Sequence, residues 1–155
     1  LHDYPQMLKF ATISYNANPN NPAVMSIYGD ALLRSNQIPE GVKVWEKLYE
    51  IDPVPFADSN SDRRTNNLFF AYFLNGQNDK CDEIFKTINE PSNRTWLLKT
   101  HSKLNNGDEF EDEVWYKKGL NDFKDLDWDN EVDRFHLNNE ELKENLIATA
   151  KAKFA

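Results

Sequence analysis

The strongest constraint on the fold lies between Pro22 and Pro53, where two short runs of helix-spaced apolar residues are separated by a brief polar break. In the first run, Ala23 to Ser35, Ile27, Ala31 and Leu32 share one helical stripe with Tyr28 beside it. Asn36 and Gln37 interrupt it. The second run opens at Pro39, a residue suited to a helix's first turn, and spaces Val42, Trp45, Leu48 and Tyr49 three and four residues apart. Asp52-Pro53 stops it. Two short helices on a tight turn must pack antiparallel, and one such hairpin cannot bury its apolar faces alone. The segment therefore predicts further hairpins beside it.

Those neighbours are present in weaker form. Residues 54–61 read as a loop of Pro, Asp, Ser and Asn, after which Ser61 or Asp62 caps a helix to Leu74 with Leu68, Phe69, Tyr72 and Phe73 on its apolar side. Asn75-Gly76 ends it, and Lys80 to Asn89 supplies its partner through Cys81, Ile84, Phe85 and Ile88. A third pair runs from Arg94 to Leu104 (Trp96, Leu97, Leu98, Leu104) and from Phe110 to Phe123 (Val114, Trp115, Leu120, Phe123), around the turn Asn105-Asn106-Gly107. Residues 125–137 read as an acidic linker. Beyond it, Asn138 and Glu141 form a capping box for a last helix, with Leu142, Leu146, Ala150 and Phe154 recurring every four residues.

The clearest hairpin resembles the tetratricopeptide-repeat family. Counted from Pro22, Gly29 falls on the small residue that lets the two helices approach. Leu32, Gly41, Trp45, Leu48 and Pro53 fall on the other signature places, with Tyr28 standing for the usual leucine and Met25 for the usual tryptophan. Pro19 precedes Pro53 by the family's 34-residue period. The resemblance implies an all-α, right-handed solenoid of antiparallel helix hairpins closed by a C-terminal capping helix. Its parts are the second helix of a truncated repeat at 1–19, a repeat at 20–53, looser and degenerate repeats at 54–91 and 92–124, and the capping helix at 138–155. In that frame Tyr4 to Asn16 (Leu8, Ala11, Ile13, Tyr15) is the second helix of a repeat whose first helix is missing, as in a piece of a longer protein. Phe69, on a small-residue position, predicts a splayed second pair.

In this family the first helices of successive pairs line a concave groove that holds a peptide. Carried over by resemblance, that groove contains Ser26, Asp30, Leu33 and Arg34, then Arg63, Asn66, Phe70 and Phe73, and lastly Arg94, Leu97 and His101. Arginines beside aromatics suit a binding hot spot, and the mixed charge suits a short apolar or mixed segment of another protein. The carboxylate clamp of some members is incomplete: Asn67 and Arg94 match, but Ser26, Asp30 and Leu98 replace its lysine, asparagine and arginine. The expected function is protein–protein interaction, as an adaptor. Alternatives are a non-catalytic repeat domain appended to an enzyme such as a transferase, or a homodimer formed through open solenoid ends.

Nothing in the sequence points to catalysis or to a cofactor. His2, His101 and His136 show no metal-ligand spacing, and no nucleophile motif or phosphate loop occurs. Cys81 is the single cysteine, which excludes an internal disulfide, favours a reducing compartment such as the cytoplasm, and fits a small packed side chain. Asn93-Arg94-Thr95 matches the glycosylation acceptor triplet, a short pattern that arises often by chance. The formal charge of −8 is concentrated: between Asp108 and Asp133 stand eleven acids and three lysines, so the rest of the chain is neutral. No basic face exists for nucleic acid, and no apolar run suits a membrane helix. Within the acidic stretch, Asp125, Asp127, Asp129, Glu131 and Asp133 imitate the alternating ligands of a calcium loop. Asn130 replaces its turn glycine, however, and His136 its bidentate glutamate, which leaves a calcium helix–loop–helix at 125–136 as the weakest alternative.

Overall fold

Several helices begin where a short side chain accepts from an N–H group of the first turn. In the computed structural model, which describes residues 3–52 and 62–154, Asp3 accepts from the Gln6 N–H at 3.0 Å, and Asn21 accepts from Ala23 and Val24. The described residues form helices α1 (Tyr4–Ala17), α2 (Pro22–Arg34), α3 (Ile38–Ile51), α4 (Arg63–Leu74), α5 (Asn78–Phe85), α6 (Asn93–Asn106), α7 (Val114–Phe123), α8 (Trp128–Asp133) and α9 (Glu140–Phe154), and no strand. The all-helical expectation holds. The helices fall into two compact units, Leu1–Asn89 and Glu90–Ala155.

In the first unit every helix packs on its chain neighbour, α1 on α2, α2 on α3, α3 on α4 and α4 on α5. Tyr15 stacks on Tyr28 with ring centroids 4.4 Å apart, joining α1 to α2. The α2–α3 hairpin is built on close approach. Trp45, Met25, Leu32 and Leu48 are fully buried, and a Cβ on Gly29 would lie 2.8 Å from the Trp45 indole nitrogen. Gly41 meets Leu33 the same way. In α4–α5, Phe69 and Phe85 meet edge to face at 5.9 Å, and the Cys81 thiol donates to the Phe69 carbonyl. Cys81 is thus a small buried side chain, as its position implied.

The turns of these two hairpins are the same structure 40 residues apart. After α2, Asn36 adopts φ 60°, its N–H donates to the Leu33 carbonyl, and the Gln37 N–H donates to Leu32 at 2.9 Å. After α4, Gly76 adopts φ 67°, its N–H donates to Phe73, and the Gln77 N–H donates to Tyr72 at 3.0 Å. This paired pattern is a Schellman motif, which satisfies the carbonyls that a helix end leaves open. Gln37 and Gln77 then serve directly as N-caps of α3 and α5, and their carbonyls accept from Gly41 and Cys81.

In the second unit α6 packs on both α7 and α9, and α8 packs on α9. Its core is aromatic. Trp96, fully buried, stacks on Tyr116 at 5.5 Å and lies 5.0 Å from Phe154, which stacks in turn on Trp128 at 5.5 Å. The helices approach most closely at Gly119, where an added Cβ would fall 1.9 Å from the Trp96 indole nitrogen. That indole N–H donates to the Tyr116 carbonyl. α6 also ends in a Schellman motif, with Gly107 at φ 71° and N–H groups of Gly107 and Asp108 donating to Leu104 and Lys103. Four further residues, 109–112, then precede the α7 cap at Glu113, so the tight turn of the first unit is not repeated here.

Several local expectations differ from the structure. Ile27 is 59% exposed rather than packed, because it lies two residues, about 200° of helix, from both Met25 and Gly29, which face the core. Ile13 on α1 is likewise exposed. α5 ends at Phe85 instead of Asn89, although Ile88 remains buried. α7 begins at Val114 instead of Phe110. Tyr116 and Gly119 form its buried stripe, and Val114 is 84% exposed. The 125–137 segment is not a bare linker, since it contains α8 with Trp128 and Val132 buried one turn apart. The cap of α9 is Asn139, which accepts from the Leu142 N–H at 3.0 Å, rather than Asn138. The stop at Pro53, the 54–61 loop, the Ser61 cap and His2 lie outside the described residues.

Candidate interaction surface

The proline at the start of α2 and the Schellman motif at its end fix which of its side chains leave the core. Asp30 and Arg34 stand half-buried one turn apart, with Arg34 Nη2 4.0 Å from Asp30 Oδ2. Ser26 is half-buried and hydrogen-bonds its own helix through the Ala23 carbonyl. Leu33, expected on the groove, is buried at 4% exposure against Gly41. Its position follows from the close hairpin: the glycine leaves a space that Leu33 fills.

On α4, Arg63 is exposed and Phe73 half-buried. Asn66 and Phe70 turn out buried, and the Asn66 amide donates to the Asp62 carbonyl at 2.8 Å, closing the first turn of the helix. Asn66 therefore serves as a local helix-start bond. Arg64, not singled out from the sequence, lies next to Asp52 with Nη2 3.3 Å from Oδ2, tying the start of α4 to the end of α3. In the second unit Arg94 is half-buried, Leu97 fully buried and His101 buried. The His101 ring is hydrogen-bonded through both nitrogens, to Thr149 Oγ1 at 2.9 Å and Asn105 Nδ2 at 3.0 Å. Of the residues assigned to the groove, Asp30, Arg34, Arg63, Phe73 and Arg94 keep exposed surface, while Asn66, Phe70 and His101 do not.

Two surface features were not read from the sequence. Phe10 and Ile13 on α1 and Ile27 on α2 are 57%, 58% and 59% exposed, an apolar surplus left over once each helix has filled its core stripe. The other is a hollow of about 610 Å³ at the α6–α7 loop, lined by Leu104, Phe110 and five carboxylates between Asp108 and Glu113. Three of those acids meet lysines: Asp108 with Lys103, Glu111 with Lys153 and Asp112 with Lys117.

The electrostatics of the first unit centre on Glu46 of α3. Its Oε1 accepts from the Tyr72 hydroxyl at 3.0 Å and from Lys80 Nζ at 2.7 Å, joining α3 to α4 and α5. Burial would raise the Glu46 pKa, but the Lys80 and Tyr72 donors outweigh it and hold the carboxyl below its usual value. Burial, then the Glu46 bond, pushes the Tyr72 phenol upward.

The calcium-loop pattern does not survive as geometry. Asp127 caps α8, Asp129 pairs with Lys151, Asp133 with Lys143, and Glu131 accepts from Asn93 and Arg134, so the carboxylates diverge around a helix. Among the described residues no group of three His, Cys, Asp or Glu is placed to hold a metal ion. The glycosylation triplet is also engaged in structure. Asn93 Nδ2 donates to Glu131 at 2.6 Å, and Thr95 is fully buried at the Ser92 cap. No described helix is long and apolar enough to cross a membrane. No protein-family model matches the chain, and no curated protein matches it significantly.

Proposed function

We propose that α1–α5 are tetratricopeptide-like helical repeats, and that the first unit binds a segment of another protein along the exposed sides of α2 and α4. The observation that supports this reading is the recurrence, 40 residues apart, of one hairpin turn with a left-handed residue at closely similar φ and the same hydrogen-bond pattern and following cap. A unit of chain-neighbour hairpins buries its faces one against the next and leaves the opposite side of each first helix for a ligand. Asp30, Arg34, Arg63 and Phe73 supply opposite charges and one aromatic surface for an extended or helical peptide of mixed character.

The test is partner capture with Arg63→Glu, compared with Lys43→Glu on α3 as a surface control of equal charge change. Both residues are exposed, so circular dichroism should stay helical in each. Retention of the partner should fall at least about tenfold for Arg63→Glu, the effect of about 1.4 kcal/mol at a binding contact, and stay level for the control. Equal retention by both variants sinks the assignment of the α2/α4 face.

A further inference from the structure

The helices of the first unit carry their charges unequally. α3 and α5 together hold six acids and three lysines, a net −3, whereas α2 and α4 hold one acid, Asp30, and three arginines, a net +2. The Asp62 cap of α4 lowers the second figure to +1 and leaves the contrast in place. Two of the three arginines are committed within the unit. Arg64 ties α4 to Asp52, and Arg34 stands 4.0 Å from Asp30. Arg63 is exposed and forms no ion pair among the described residues.

Ile27 adds an apolar contact to the same side. It is 59% exposed and precedes Asp30 by three residues and Arg34 by seven, which places all three on one stripe of α2. The direction of the helices follows from their contacts. Gly29 meets Trp45 and Gly41 meets Leu33, so α2 and α3 are antiparallel. Arg64 meets Asp52 and Tyr72 meets Glu46, so α3 and α4 are antiparallel as well. α2 and α4 therefore run the same way along α3. Their turns recur 40 residues apart, which equates Ala23 with Arg63 and Ile27 with Asn67 and directs these positions to one side of the unit. Arg63 lies towards the start of that side, Arg34 at its far end, and Ile27 between those levels.

Building on the reading of α2 and α4 as the ligand side, we infer that the bound segment is acidic and carries an aliphatic anchor. The aliphatic side chain packs on Ile27, and a nearby carboxylate takes the Arg63 guanidinium. Charge complementarity selects this chemistry. A basic segment would set its own cations against Arg63 and meet a single acid of these two helices, Asp30, beside Arg34. A guanidinium holds a carboxylate through two parallel N–H···O bonds, so Arg63 sets orientation as well as sign. A segment with acids alone would leave the Ile27 surface in water and forgo the apolar contribution.

Selection of a random short-peptide display library on the immobilised full chain at neutral pH tests this. The enriched peptides should carry Asp or Glu together with Leu, Ile or Val, in excess of the starting library. The most enriched peptide, synthesised with a fluorophore, should bind at least about tenfold more weakly to Ile27→Ser and to Arg63→Glu, and equally well to Lys43→Glu. All three positions are exposed, and circular dichroism confirms that each variant stays helical. Enrichment of basic peptides, or no enrichment, overturns the inference. Binding that Arg63→Glu weakens and Ile27→Ser does not removes the anchor and leaves α2 and α4 as the ligand side. Binding weakened by Lys43→Glu alone removes both.

Discussion

Single residues decide how closely the helices approach. Gly29 and Gly119 both leave room for an indole, but in opposite senses: Trp45 reaches back to α2 from the second helix, whereas Trp96 reaches forward to α7 from the first. Alanine would improve helix propensity at either place by about 1 kcal/mol, yet its Cβ would sit 2.8 Å from Trp45 Nε1 or 1.9 Å from Trp96 Nε1. Both indoles are fully buried and have nowhere to move. Overpacking of this kind costs about 1–3 kcal/mol, so both variants should melt earlier, Gly119→Ala by more than Gly29→Ala. A melting temperature unchanged in Gly119→Ala would show that α7 shifts freely. Glu46 gives a pH-dependent counterpart. Its folded pKa is depressed, so its contribution is complete above the unfolded carboxyl value of about 4.3 and disappears as pH falls through the folded value. The stability difference between the native chain and Glu46→Gln should therefore be largest near neutrality and close towards about pH 3, as followed by thermal melts.

At the scale of elements, the turns carry the recurrence. Asn36 and Gly76 occupy the same left-handed position, where asparagine is tolerated and glycine is free of strain. Asn36→Gly should raise the unfolding free energy by roughly 0.5–1 kcal/mol, seen as a higher urea midpoint at unchanged slope, and Asn36→Ala should lower it by a similar amount. A midpoint unmoved by either change would mean the turn contributes nothing to the hairpin. This is also where the sequence was most legible. Asn36-Gln37 and Asn75-Gly76 marked both turns, and the proline at the start of α2 and the apolar period of α3 placed that hairpin within a residue or two. The period of α9 was equally plain in Leu142, Leu146, Ala150 and Phe154. What failed did so for physical reasons. Trp128 and Val132 repeat at helical spacing, but the acids around them read as a solvated linker, because wet-face charge hides a short buried stripe. Val114 and Ile27 are apolar and were assigned to cores, although hydrophobicity alone does not say which side of a helix is covered. Buried Asn66 and His101 were read as ligand groups. Their true partners, the Asp62 carbonyl and Thr149, depend respectively on where α4 starts and on a residue 48 positions away.

At the scale of the molecule, two compact units divide two kinds of packing. The first unit is a run of hairpins with tight Schellman turns; the second packs α7 and α9 against the helix that carries its fully buried tryptophan. The acidic residues between Asp108 and Asp133 belong wholly to the second unit, where lysines of α6, α7 and α9 balance several of them. The first unit therefore carries the binding proposal without the acidic block. Its central claim is that a protein segment lies on α2 and α4 and not on α3 and α5. Site-specific photo-crosslinking decides this directly, with a benzophenone side chain placed in turn at Ser26, Arg63, Lys43 and Lys86. The account predicts partner crosslinks from Ser26 and Arg63 and none from Lys43 and Lys86. Crosslinks of equal yield from all four, or from Lys43 and Lys86 alone, would contradict it.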